Sequence, residues 1–219
     1  YGTVAQGSTQ DKTFTVSNGG GVPATAMAGS GLSAPYTFKG GSYPGTGGNC
    51  AGTLAASSTC TILVNYNPTS IATQTNTITI GYNDGLAAQN ATRDVTGTSV
   101  APASLSISDG PTYDYGTLAT GATLDKIFTI TNTGSFAASA LAGTGLVAPF
   151  TFKGGTYPGT GGTCSTTLNA SSSCTVVVRY APTATGTQSG TLQVDYYDGA
   201  ANQSSTRAVQ GTGAAPALL

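Results

Sequence analysis

The chain has 219 residues, enough for two domains of roughly 100 residues each, and only 7% of them are charged, against roughly 25% in an average soluble domain. A net charge of −1 with no basic stripe excludes a phosphate-neutralising surface, so nucleic acid is not an expected partner. No apolar run approaches the roughly 18 residues a bilayer crossing needs, so no membrane insertion is expected within this chain.

Near the start, Lys12–Asn18 alternates with a period of two, placing Phe14 and Val16 on one face and Thr13, Thr15 and Ser17 on the other, the signature of a half-buried strand. Asn18 precedes a Gly-rich stretch and reads as a strand-ending turn. A Gly-rich loop, Lys39–Gly48, follows. Cys60, Ile62, Val64 and Tyr66 then form the inward face of a further strand, and Ile78, Ile80 and Tyr82 that of the next. Asp84-Gly85 is a hairpin-turn signal, because glycine supplies the positive φ such a turn requires. Leu105 and Ile107 share a face in Ala103–Ser108.

From there the pattern returns. Tyr1 corresponds to Tyr115, Cys50 to Cys164 and Gly97 to Gly211, each at an offset of 114 (115 − 1, 164 − 50, 211 − 97), and about 60 of 105 aligned positions are identical without a gap. Cys174, Val176, Val178 and Tyr180 repeat the inward face of the earlier strand. Asp198-Gly199 repeats the turn, and Asn132 repeats Asn18. Residues 101–114 have no counterpart ahead of Tyr1, and Ala215–Leu219 matches Ala101–Leu105. The chain therefore reads as a slice of a longer array: a repeat at 1–100 shortened at its N-terminus, a repeat at 101–214, and the start of a following repeat at 215–219. No segment sustains a 3.6-residue period. The expected fold is all-β, two tandem immunoglobulin-like β-sandwiches arranged end to end.

Four cysteines form two identical pairs. A zinc site favours two-to-four-residue spacings and additional Cys or His ligands, and the chain has no His. A separation of ten residues (60 − 50, 174 − 164) instead fits one disulfide per repeat, Cys50–Cys60 and Cys164–Cys174. Closing so short a loop stabilises by about 2–3 kcal/mol in the chain-entropy model and implies an oxidising compartment.

The pattern C-x3-L-x5-C-T-x2-V-x-Y-x-P-T runs from Cys50 to Thr69 and again from Cys164 to Thr183, preceded by FTVSNGG or FTITNTG and closed by GTS or GTG. In these motifs the chain resembles the choice-of-anchor D family, immunoglobulin-like repeats of large secreted bacterial surface proteins, similar in fold to abnormal-spindle and hydin-type domains. The resemblance spans both repeats. It implies a seven-to-eight-stranded sandwich, export, anchoring elsewhere in the parent protein, and no catalytic residues. The insert KGGSYPGTGG is a departure from that family.

Glu is absent along with His, and the eight acidic residues are all Asp, so nucleophile–His pairs and Glu acid–base chemistry are excluded. No cofactor and no resident metal is expected. Asp84, Asp94, Asp109 and Asp114 lie near the joint, where calcium stiffens other stalks, but no dense Asp-x-Asp-x-Asp motif accompanies them. A Lys–Asn crosslink would draw on Lys12 or Lys39, Asn18, and Asp11 or Asp84; Lys12 and Asn18 share one predicted strand and cannot face each other.

Eleven of the twelve positions in Thr37–Gly48 recur in Thr151–Gly162, an unusual sameness for a loop. The glycine pattern lacks the Gly-Lys-Ser/Thr ending of a phosphate-binding loop. Two explanations stand side by side. Lys39, Tyr43, Lys153 and Tyr157 form a ligand-binding patch, or each tyrosine packs back onto its own unit with Pro44 or Pro158 fixing the turn. The functional expectation is a non-catalytic, adhesin-like stalk or spacer of a large bacterial cell-surface or secreted repeat protein, extracellular or at the cell surface, with neighbouring repeats as its partners. The alternative is a module whose Gly/Tyr-rich loops hold a glycan or protein of a host, prey or matrix.

Overall fold

A computed structural model describes all 219 residues, Tyr1–Leu219, and they divide into two compact units, Tyr1–Val100 and Ala101–Leu219. The first holds β1 (Thr3–Ala5), β2 (Gln10–Asn18), β3 (Thr25–Ser30), β4 (Tyr36–Phe38), β5 (Ser58–Tyr66), β6 (Thr73–Asn83) and β7 (Ala88–Val100). The second holds β8 (Leu105–Ile107), β9 (Thr112–Ala119), β10 (Leu124–Asn132), β11 (Ala138–Thr144), β12 (Phe150–Phe152), β13 (Thr167–Leu168), β14 (Ser173–Tyr180), β15 (Gly186–Tyr197) and β16 (Asn202–Ala214). There is no helix, so no helix is long and apolar enough to cross a membrane.

In the second unit one sheet runs β12-β14-β10-β8 and the other β13-β11-β15-β16-β9. Apart from the short β13, this is the strand order of an immunoglobulin sandwich, with β9 added parallel to β16. The two sheets share one core, in which Phe128, Ile130 and Val176 of the first meet Leu192, Val194 and Val209 of the second. The first unit repeats the plan with β2-β5-β4 against β1-β7-β6-β3. Both units are immunoglobulin-like β-sandwiches.

The alternation read from the sequence is the alternation that folds. Along β5, Cys60, Ile62, Val64 and Tyr66 are buried while the residues between them are not. Tyr36 and Tyr66 stack at 4.6 Å and 20° in the first core, as Phe150 and Tyr180 do at 4.8 Å and 19° in the second. Each such ring contributes about 1.5–3 kcal/mol by leaving water. The glycine in the closing GTS and GTG motifs makes room for this stack. A Cβ on Gly97 would lie 2.5 Å from Tyr66, and one on Gly211 2.6 Å from Tyr180.

One expectation changes in detail, and the two repeats differ at one face. The Asp84-Gly85 turn is not a two-residue hairpin. Asp84–Ala87 separates β6 from β7, and the Asp84 carboxylate accepts the N–H groups of Leu86 and Ala87, both at 2.8 Å, so only Gly85 takes a positive φ. Phe14 and Val16 lie on one face and are half-buried as read, whereas their counterparts Phe128 and Ile130 are fully enclosed. The cause is β8, which covers the outer edge of β10. The chain supplies no matching strand at the outer edge of β2, and the sheet there has three strands instead of four.

Candidate functional site

The Lys39–Gly48 loop follows β4 and lies against β5. Lys39 donates its N–H to Leu63 at 3.0 Å, Leu63 returns a bond to the Pro44 carbonyl at 2.8 Å, and Asn49 bonds Thr61 at 3.0 Å. The loop thus occupies an edge of β5 that a further strand would otherwise seek. Gly48 sits where a Cβ would be 2.8 Å from the Pro44 oxygen and 2.9 Å from that of Thr61. Gly162 meets Pro158 and Thr175 in the same way, at 2.7 and 2.9 Å. Close backbone approach therefore accounts for part of the sameness of the two loops.

The four nominated side chains engage their own units. Tyr43 meets Phe38 edge-to-face at 5.7 Å and 89°, and Tyr157 meets Phe152 at 5.7 Å and 90°. Each ring lies over a glycine of the facing sheet, so that a Cβ on Gly29 would stand 2.5 Å from Tyr43. Both tyrosine hydroxyls are enclosed without a hydrogen bond, and burial pushes the Tyr157 phenol up to about 12. Lys39 turns instead to Asp11, at 2.7 Å, where Asn65 also donates at 2.8 Å. Lys153 reaches Asp125 at 3.0 Å, beside Arg179, which grips the same carboxylate at 2.7 and 3.0 Å. The Arg179 guanidinium, with Lys153 behind it, holds Asp125 at about 2. Lysine and tyrosine of one loop therefore do not converge on a common ligand position.

The cysteines are bridged as Cys50–Cys60 and Cys164–Cys174, with Cα atoms 4.9 and 4.8 Å apart, and no free thiol is left. Two disulfides are the chemistry of an oxidising environment. The aspartates serve local structure. Asp84 and Asp198 cap turns, Asp114 accepts from Gly116 and Gln210, Asp94 accepts from Thr77, and Asp109 pairs with Lys126 at 2.9 Å. No three of them come together as a metal site. Asn18 donates to the carbonyls of Val22, Leu54 and Ala55 and is committed to closing its loop.

No protein-family model and no curated protein sequence matches the chain. Solved structures give distant likenesses. One is a protein of unknown function from Porphyromonas gingivalis W83, 11% identical, covering 95% of this chain and 98% of that one, with a TM-score of 0.39. A second is the Vibrio cholerae VesB protease, 21% identical over 51% of this chain and 32% of that one, at 0.36. A third is the PapD-like domain 7 of human CEP192, 17% identical over 52% of this chain and 87% of that one, at 0.35. Likenesses this distant carry no argument, and the fold stands on its own strands.

A concavity lies away from the loops. It runs along the uncovered face of β2 in the first unit, from Phe14 and Arg93 at one end to Asn18, Tyr82 and Asp84 at the other, over a floor of Val16, Met27, Leu54 and Ile80. Sequence reasoning read Asn18 and Asp84 as turn, crosslink or calcium candidates and the rest of these residues as strand faces, and did not bring them together as a concavity.

Proposed function

We propose that the chain is a non-catalytic spacer, a pair of immunoglobulin-like units in a tandem series exported to an oxidising, extracellular setting, with adjoining repeats as its partners. The observation that carries this reading is the joint. Val100 accepts a bond from Gln6 inside the first unit, and the next residue, Ala101, accepts one from Ser135 inside the second. Ala103 and Ser104 are likewise bonded within the second unit, to Asp198 and Asn132. The bonding of each unit thus runs up to its own boundary residue, as suits repeats set in series.

Titration behaviour supports the absence of catalysis. Every shifted carboxyl is lowered, as at Asp11, Asp109 and Asp125, and every shifted phenol is raised, as at Tyr36, Tyr157 and Tyr180. A general acid or base needs the opposite, a shift toward neutrality. The test is a solid-phase screen of the chain and its Tyr43→Ala/Tyr157→Ala variant against glycans and matrix proteins, with turnover followed in parallel. The spacer reading expects no saturable binding and no product. Saturable binding that the double variant loses while its Tm is kept would transfer the function to the loops.

A further inference from the structure

The β15–β16 hairpin of the second unit differs from its counterpart in the first along one face. Asp195, Tyr197, Asn202 and Ser204 point away from the core, and they stand where the first unit has Gly81, Asn83, Ala88 and Asn90. Between them, Tyr196, Asp198, Gly199 and Gln203 face the core or shape the turn, and these repeat Tyr82, Asp84, Gly85 and Gln89 without change. The frame is therefore kept, while four neighbouring outward positions carry a carboxylate, a phenol, an amide and a hydroxyl that the first unit does not place there.

Tyr197 is opposite Asn202, and Asp195 opposite Ser204, in the ladder of β15 and β16. The four residues thus mark the corners of a patch about 5 Å across the strands and about 7 Å along them, the footprint of one sugar ring. Asp195, Asn202 and Ser204 line a shallow depression, bordered on one side by Ala140 of the β11 bulge. Tyr197, at its rim, is the most exposed aromatic ring of the chain, at 38%. Asn202 and Ser204 are exposed, and neither they nor the Tyr197 hydroxyl hold a side-chain bond within the chain. Asp195 is held in place. Its Oδ1 accepts from Gln193 Nε2 at 2.7 Å and its Oδ2 from Thr144 Oγ1 at 2.9 Å, and each oxygen keeps a lone pair for a further donor.

We propose that this patch is a binding site for a neutral saccharide, with one pyranose ring seated on the four side chains. The Tyr197 ring offers an apolar surface to the C–H face of the sugar while its hydroxyl stays in water. Asp195 accepts from a sugar hydroxyl, and because Gln193 and Thr144 already orient it, little freedom is lost in doing so. Asn202 and Ser204 each donate and accept, which suits neighbouring sugar hydroxyls that do the same. Other ligand classes fit less well. No lysine or arginine stands among the four, so an anion would meet only the Asp195 charge. One carboxylate does not make a metal site, and no three acidic ligands come together. β15 lies between β11 and β16, and β16 between β15 and β9, so neither strand offers a free edge to a peptide backbone. For a ligand of monosaccharide size the usual affinity per atom puts Kd at about 2 mM. A contact that weak is lost when a solid phase is washed, so the patch stands beside the spacer reading and does not rest on it.

Amide NMR shifts of the full, isotope-labelled chain test it, in titrations with the methyl pyranosides of glucose, galactose, mannose and N-acetylglucosamine carried to about ten times that Kd. At least one sugar is expected to shift the amides of Asp195, Tyr197, Asn202 and Ser204 saturably and to leave those of Gly81, Asn83, Ala88 and Asn90 in place. Tyr197→Ala and Asn202→Ala should each weaken binding about fivefold, the effect of one aromatic contact or one neutral hydrogen bond. Both side chains are exposed, so both variants should keep the wild-type Tm. Tyr43→Ala/Tyr157→Ala should bind as the wild type does. Patch amides that stay in place with all four sugars, a shift that Tyr197→Ala leaves at full strength, or a shift that the loop variant abolishes overturns the proposal.

Discussion

Tyr157 separates the two accounts of the Gly-rich loop, because its ring and its hydroxyl have opposite effects. The ring is half-buried between Phe152 and Gly143. Truncating a fully buried aromatic to Ala costs about 3–5 kcal/mol, so a half-buried ring in an edge-to-face pair should cost about 2 kcal/mol in Tyr157→Ala. The hydroxyl is enclosed without a partner, a state that costs about 1–3 kcal/mol. Tyr157→Phe removes that penalty and keeps the ring, so it should be neutral or stabilising by about 1 kcal/mol. For a unit of this size 1 kcal/mol moves Tm by about 3–5 °C. Differential scanning calorimetry should then show the second unit's transition falling by about 6–10 °C in the Ala variant, and holding or rising in the Phe variant. Tyr43→Phe and Tyr43→Ala should repeat the pattern in the first unit. A Phe variant that loses as much as the Ala variant would refute the reasoning, since the hydroxyl would then be making a bond.

The two repeats provide a matched pair at Phe14 and Phe128. Phe128→Ala should cost about 3–5 kcal/mol by chemical denaturation and Phe14→Ala less than half of that, because only Phe128 is covered by β8. Replacing both cysteines of one bridge by serine should lower that unit's stability by about 2–3 kcal/mol, and free-thiol titration of the unfolded, unreduced wild type should find none. Asp125 gives a pH signature with a definite sign. Its folded value of about 2 lies below the ordinary value of about 3.9, so its contribution is complete above about pH 5 and lost as pH falls toward 2. Asp125→Asn should flatten the stability profile of the second unit over that acid window and leave the slope above pH 5 unchanged.

Much of the fold was legible because each strand carries its own alternation. Cys60, Ile62, Val64 and Tyr66 needed only a period of two to be assigned to the core, and the offset of 114 doubled every such signal. The Asp84 turn was legible in kind but not in width, because its length depends on where a carboxylate finds N–H groups to accept. The loops were less legible. Whether Tyr43 faces solvent or packs inward is decided by Gly29, on a different strand, and periodicity within the loop carries no trace of it. The difference between Phe14 and Phe128 was illegible for a related reason. The face was right, but enclosure also requires β8, and the sequence pattern of β2 is the same whether or not a strand lies beside it.

The parallel pairing of β9 with β16 has a mechanical meaning. These strands lie near the start and the end of the second unit and run in one direction, so tension applied along the polypeptide slides one past the other. Their bonds are loaded together and resist as a set, whereas an antiparallel hairpin pulled from its open end would peel one bond at a time. Should a unit yield, the Cys164–Cys174 bridge withholds the residues between its sulfurs from lengthening, about 30 Å of contour at the usual rise of an extended chain. The reach of the unit under load is therefore set in part by the redox state of its surroundings, and a reducing medium would make each unit both weaker and longer.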